Sequence, residues 1–312
     1  MTFATIGARL FRTTHPRSIL MPYVAGGDFP SEVSNLFEEW PVDTHVLHRP
    51  EEPSARGRVS YAKDNTNRKS FLRLTKPLPF DVIDLQPHLS QINAYHFFGT
   101  PTYLESQTLK IFANFKGPQD RPWVAWEPEA KSCRPDTLAE HAEAARRCNV
   151  FSPNHLELHS FFGEPHPSGH FDRAEVERNA EAFLQHDQSD NPAVSVGGRG
   201  CIIVRAAEHG CLFMDWEKRF WMPAYYPADS AKIVDPTGCG NAFLGGFLVG
   251  LQIEGRLQAA VAYGAVAASF VIEQVGVPER TGTGEEEKWN GDSVWDRLDR
   301  FQGRLAAEAL QP

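Results

Sequence analysis

Cysteine is scarce in this chain: five in 312 residues, at Cys133, Cys148, Cys201, Cys211 and Cys239, odd in number and scattered. That pattern argues against a disulfide framework or a paired-cysteine metal site and fits a reducing compartment. Basic charge is also short. Lys and Arg total 31 against 40 Asp and Glu, a formal charge of −9. A nucleic-acid partner or an anionic membrane surface would call for clustered Lys and Arg, so neither is expected. No stretch approaches the ~20 apolar residues of a membrane span. The start, Met1-Thr2-Phe3-Ala4-Thr5-Ile6-Gly7-Ala8, lacks the basic, apolar, small-residue order of a secretory signal. A cytoplasmic protein is expected. What remains is ordinary globular composition, 41% apolar and 23% charged, at a length close to the ~250–300 residues where single cores stop growing. The chain is read as one domain over 1–312.

Residues 2–11 read as a short helix, and Ile19 to Ala25 as a strand ending at Gly26-Gly27. A helix through Val33, Leu36, Phe37 and Trp40 and a strand at Val42 to Leu47 follow. Two runs that alternate with period two, 58–62 and 70–74, are joined by Asp64-Asn65-Thr66-Asn67, which is a hairpin signal. Residues 50–76 are therefore expected to form a small β lid. From residue 92 the rhythm becomes strand, loop, helix: strands at 94–99, 123–128 and 149–152, a helix over 135–147, and apolar helices at about 240–251 and 257–273. Ala193-Val194-Ser195-Val196-Gly197-Gly198 and Gly200-Cys201-Ile202-Ile203-Val204-Arg205 read as adjacent strands around a glycine turn. Such alternation predicts an α/β fold with a mostly parallel sheet covered on both faces, with ligands bound beyond the carboxyl ends of the strands. The charge run Glu285-Glu286-Glu287-Lys288 is expected to be a solvated loop.

The most informative stretch is Asp235-Pro236-Thr237-Gly238-Cys239-Gly240-Asn241, small residues leading into an apolar helix. Unpaired amides at a helix start, together with the helix dipole, suit a phosphate or a developing oxyanion. Gly238 and Gly240 let the backbone approach a ligand closely. Asn154-His155-Leu156-Glu157 reads equally as a phosphate or magnesium contact and as a helix capping box. Gly197 and Gly200 either line a nucleotide or simply close a tight turn. His155 and His159 have the spacing of a two-histidine zinc face, but no third ligand is in view, so no metal site is assigned.

These motifs resemble, in order and spacing, the pfkB (ribokinase-like) carbohydrate and nucleoside kinases. That family carries D-T-x-G-A-G-D, N-x-x-E and T-x-G-x-x-G, for which the candidates are 235–241, 154–157 and Ser195 to Gly200. Phe151-Ser152-Pro153-Asn154-His155 and Asp235-Pro236-Thr237-Gly238 resemble its fungal, killer-maintenance-like branch. The resemblance implies a ribokinase-like three-layer α/β sandwich with a β lid, and lid-mediated homodimers are common in that fold. Two departures stand out. The final aspartate of D-T-x-G-A-G-D, which takes the proton of the acceptor hydroxyl in the family, is Asn241, and an amide is not a base at neutral pH. Against the family pattern, the first strand and most of the sugar-binding loop ahead of Thr2 are expected to be absent.

Both departures point away from ordinary sugar phosphorylation. The reading they favour is a repurposed enzyme of fungal secondary metabolism. It would use no cofactor and promote a cyclisation or rearrangement, such as an intramolecular Diels–Alder reaction, of a small apolar metabolite. Gly238, Cys239, Gly240 and Asn241 would supply hydrogen-bond donors. Phe98 and Trp126 at strand ends, with Asp235 and Thr237, would line the pocket. The alternative is an ATP- and magnesium-dependent phosphotransferase using Asn154, Glu157, Gly197 and Gly200, or a non-catalytic scaffold.

Overall fold

The computed structural model describes residues 2–61, 69–86, 88–163, 171–185 and 200–309. The chain opens with α1 (Thr2–Leu10), β1 (Leu20–Gly26), α2 (Ser31–Glu38) and β2 (Asp43–Arg49). The β3 (Gly57–Tyr61) and β4 (Lys69–Arg73) hairpin follows, then β5 (Ala94–Gly99), α3 (Pro101–Phe112), β6 (Trp123–Pro128), α4 (Leu138–Ala145) and β7 (Val150–Phe151). Next come α5 (His155–His159), α6 (Arg173–Gln185), β8 (Cys201–Arg205), β9 (Cys211–Met214) and β10 (Arg219–Met222). The chain finishes with α7 (Cys239–Glu254), α8 (Leu257–Val271), β11 (Arg280–Thr281), β12 (Lys288–Trp289) and α9 (Val294–Ala309).

The central sheet has six strands in the order β10-β9-β8-β7-β6-β5. Strands β5 to β8 are parallel, and β9 and β10 fold back antiparallel. The alternation of strand side chains divides the interior into two layers. Ala125, Val150 and Ile203 face α1, α7 and α8, while Val124, Trp126, Phe151 and Ile202 face α3, α4 and α6. Helices α7 and α8 are apolar on all sides because they are buried on all sides. Helix α1 lies against α7 at contact distance through small residues. A Cβ at Gly7 would sit 2.0 Å from the Ala242 carbonyl oxygen, and one at Gly245 would sit 2.0 Å from that of Ala4.

Three small sheets flank this body. β1 and β2 form a parallel pair of their own, β3 and β4 pair antiparallel, and β11 pairs with β12. The turn expected at 64–67 and the strand expected at Ala193–Gly198 lie outside the described residues. β8 instead makes its hairpin with β9, through residues 206–210. The 285–288 run is not simply solvated. Glu287 is buried and accepts two hydrogen bonds from Arg9, at 2.8 and 2.5 Å, and one from Trp289 Nε1 at 2.9 Å. This ion pair ties α1 to the β11–β12 hairpin. Among the described residues no helix is long and apolar enough to cross a membrane.

Candidate active site

Helix α7 starts at the carboxyl end of the sheet. Its N-cap, Gly238, has φ +84°, the left-handed region that glycine enters without strain. The Cys239 amide bonds the Pro236 carbonyl and the Ala242 amide bonds that of Gly238. The amides of Gly240 and Asn241 have no carbonyl of an earlier turn to bond. Asp235 and Thr237 form the approach, with the Asp235 carboxylate accepting from the Thr237 amide at 2.9 Å. The Phe3 ring of α1 lies on Gly238: a Cβ there would meet it at 2.2 Å.

Opposite this helix start, the carboxyl ends of the parallel strands present polar side chains on the same sheet face. They are His96 on β5, Glu127 on β6, Ser152 after β7 and Arg205 on β8, with the apolar Phe98 of β5 beside them. Asn241 Nδ2 donates to Glu127 Oε2 at 2.5 Å. Arg205 Nη1 lies 2.9 Å from Glu127 Oε1, and Arg205 Nη2 lies 3.7 Å from Glu157 Oε2. The guanidinium also donates to the Ser152 carbonyl at 2.8 Å and hydroxyl at 3.2 Å. It lies so close to α7 that a Cβ at Gly240 would be 1.9 Å from Nη1. Burial alone would raise the Glu127 carboxyl, but Arg205 and His96 outweigh it and hold it down to about 2. Burial pushes His96 below its ordinary value despite the nearby Glu127 carboxylate, and its buried Nε2 lies 3.6 Å from Glu127 Oε2 without a hydrogen-bond partner.

The residues expected from sequence fall in three groups. Gly238, Cys239, Gly240, Asn241, Asp235 and Thr237 gather at the helix start. Asn154 and Glu157 form the capping box: Asn154 Oδ1 accepts from the Leu156 and Glu157 amides at 2.9 Å, and Glu157 Oε2 accepts from the Asn154 amide at 2.7 Å. Since the same Glu157 oxygen faces Arg205, capping and a place in the cluster are compatible. Phe98 is 53% exposed and sits in register with Glu127, at the rim of the site.

Trp126 and Gly200 do not join them. Trp126 is fully buried on the other face of the sheet, against His141 and Phe151. Strand alternation puts neighbours 126 and 127 on opposite faces, so only Glu127 can reach α7. Gly200 precedes the five-residue β8, at the end away from Arg205 and therefore about 16 Å along the strand from it at ~3.3 Å per residue. Gly197 lies outside the described residues. The turn beside the α7 start is instead 206–210, which follows Arg205, and there Ala207 takes φ +50°. Sequence reasoning passed over Glu127, Arg205 and His96. The available signal was a lone charged residue in the apolar strand Trp123-Val124-Ala125-Trp126-Glu127.

The model of the pfkB family carbohydrate kinases matches residues 21–281. The chain belongs to the pfkB family. It is 29% identical to an uncharacterized protein of Schizosaccharomyces pombe over 98% of this chain and 86% of that protein. It is 26% identical to protein MAK32 of Saccharomyces cerevisiae over 95% of this chain and 82% of that protein. Among solved structures, the ribokinase of Giardia lamblia superposes with a TM-score of 0.68 at 14% identity, covering 96% of this chain and 88% of that one. That likeness shows the ribokinase-like fold. The chain carries glycine at 238 and 240 and asparagine at 241 at the start of α7, with Arg205 beside them.

Proposed function

We propose that this pfkB protein is an ATP-dependent phosphotransferase acting on a hydroxyl group of a small polyhydroxylated molecule. One observation carries the reading. The open amides of the α7 start face a buried cluster of Glu127, Arg205 and Glu157 at the carboxyl ends of the strands. Phosphoryl transfer asks mainly for positioning and charge stabilisation. The Gly240 and Asn241 amides and the dipole of the 16-residue α7 attract phosphate oxygens. Arg205, beside Gly240, puts a cation where charge develops on the transferred group. Magnesium would come as a companion of the triphosphate, since it is commonly held by one or two carboxylates together with substrate phosphates, and Glu157 would be its carboxylate contact. When bound, the ion would neutralise phosphate charge.

The test is thermal denaturation with and without millimolar MgATP, followed by detection of ADP with ribose, myo-inositol or adenosine as acceptor. Nucleotide at ~100 times its Kd adds about 2.7 kcal/mol to the folded state, a readily measured rise in the midpoint. Folded protein with an unchanged midpoint would overturn the reading.

A second reading is the cofactor-free cyclisation of an apolar small molecule in secondary metabolism. It is favoured by Phe3 on Gly238 and by exposed Phe98, which give the site an aromatic rim. It loses the wall it needed from Trp126. It requires indifference to ATP and chelators and a strong effect of Phe98→Ala on turnover; a scaffold would show neither response.

A further inference from the structure

Glu127 is an expensive residue to bury. A carboxylate taken out of water costs several kcal/mol unless it is matched by charge and hydrogen bonds. A purely structural pair with Arg205 would be one carboxylate for one guanidinium. Here Arg205 lies between two carboxylates, Glu127 and Glu157, and all three side chains are no more than 12% exposed. Glu127 lies one hydrogen bond from position 241, since Asn241 Nδ2 donates to Glu127 Oε2 at 2.5 Å. Arg205 contacts Oε1, and a carboxylate oxygen has two acceptor positions, so one remains for a substrate hydroxyl among the described residues. Phe98, in register with Glu127 on the neighbouring strand, opens that side to solvent.

We propose that Glu127 is the proton acceptor of this site, supplying from β6 the carboxylate that position 241 lacks, with Asn241 and Arg205 as positioning residues. The inference rests on the phosphotransferase reading. In the step, the acceptor oxygen forms a bond to the γ-phosphorus of the nucleoside triphosphate and the bond from that phosphorus to the β–γ bridging oxygen breaks. The nucleoside diphosphate leaves with the electron pair. The hydroxyl proton passes to Glu127. A weak base suffices, because in a loose transition state the hydroxyl proton is lost late.

The experiment compares ADP release by wild type, Glu127→Gln, Glu127→Asp and the double variant Glu127→Gln/Asn241→Asp. MgATP is supplied with ribose, myo-inositol, adenosine or water as acceptor, and the MgATP-induced shift of the melting midpoint is recorded for each. Glu127→Gln should lose about 10²–10⁴-fold in turnover while keeping its nucleotide shift. Glu127→Asp keeps the charge that Arg205 needs but withdraws it by one methylene. It should fold and lose at least ~10-fold, which keeps the test open if the glutamine variant is unstable. The double variant, with the carboxylate returned to the helix, should regain at least ~10-fold over Glu127→Gln. Glu127→Gln turnover within about twofold of wild type, or no recovery in a folded, nucleotide-binding double variant, overturns the role of Glu127 alone. A wild type that neither shifts nor turns over MgATP with any acceptor overturns the phosphotransferase reading beneath it.

Discussion

Replacing Arg205 with alanine would strand the buried Glu127 carboxylate without its guanidinium partner. The guanidinium supplies the 2.9 Å contact to Glu127 and both contacts to Ser152, and its side chain is only 12% exposed. Breaking a buried pair from one side costs about 3–5 kcal/mol, because the remaining charge is left unmatched. With about 2.1 cal/mol/K of unfolding entropy per residue, 312 residues give roughly 0.66 kcal/mol per degree, so the midpoint should fall by about 5–8 °C. The pH dependence adds a check of sign. In wild type Glu127 is held down to about 2, so its contribution is present above its ordinary value near 4.5 and fades as pH falls towards 2. Without Arg205, burial dominates and raises that carboxyl. The deficit should then be largest at neutral pH and shrink as Glu127 protonates. Differential scanning fluorimetry of both proteins from pH 4 to 8 measures it. A deficit below about 1 °C at pH 7.5, or one that grows on acidification, would refute the reasoning.

Two further perturbations test the scaffold. Glu287→Gln leaves the Arg9 guanidinium, 1% exposed, facing a neutral amide; the same scale of about 3–5 kcal/mol applies, and a urea midpoint unchanged from wild type would contradict it. Burial lowers His96, His141 and His155 below the ordinary histidine value. The unfolded chain therefore takes up protons first, and stability should decline as pH drops below about 6.5, with Glu127 extending the loss below about 4.5. A melting midpoint flat between pH 7 and 5 would argue against neutral, buried imidazoles.

Much of the scaffold was legible because its period is strong. The strands at 94–99 and 123–128 appear with the bounds that their apolar runs suggest, and the two apolar helices sit where no polar face was available. β9 and β10 were not anticipated: each has four residues, too few to show a period, and their register is fixed by pairing, β9 with β8 and β10 with β9. The helix start was readable from its glycines, since Gly238 needs a left-handed backbone and Gly240 needs room beside Arg205. The partners of Asn241 were not, because Glu127 lies 114 residues away and no local pattern couples the two. The aromatic character of Trp126 points to a pocket wall. Alternation along β6 decides the other way.

The replacements at this site also make sense together. Arginine at 205 demands a buried carboxylate, which Glu127 provides, and Glu157 is already present as a capping residue. An aspartate at 241 would be a third carboxylate for one guanidinium, with its oxygens about where Asn241 Nδ2 now meets Glu127 at 2.5 Å. Two carboxylates that close cannot both be ionised. Holding one protonated at pH 7.5, against an ordinary aspartate value of about 3.9, costs up to about 5 kcal/mol. An amide avoids that cost and donates to Glu127 instead of repelling it. Asn241→Asp alone should therefore lower the melting midpoint relative to wild type at pH 7.5, and that gap should close on acidification, since the folded-state carboxyl would be raised and its penalty vanishes below the unfolded value. Adding Glu127→Gln should recover it at pH 7.5 as well. An Asn241→Asp protein as stable as wild type at neutral pH would mean that the two side chains are not in contact, and the account of the asparagine as a charge-matching residue would fail with it.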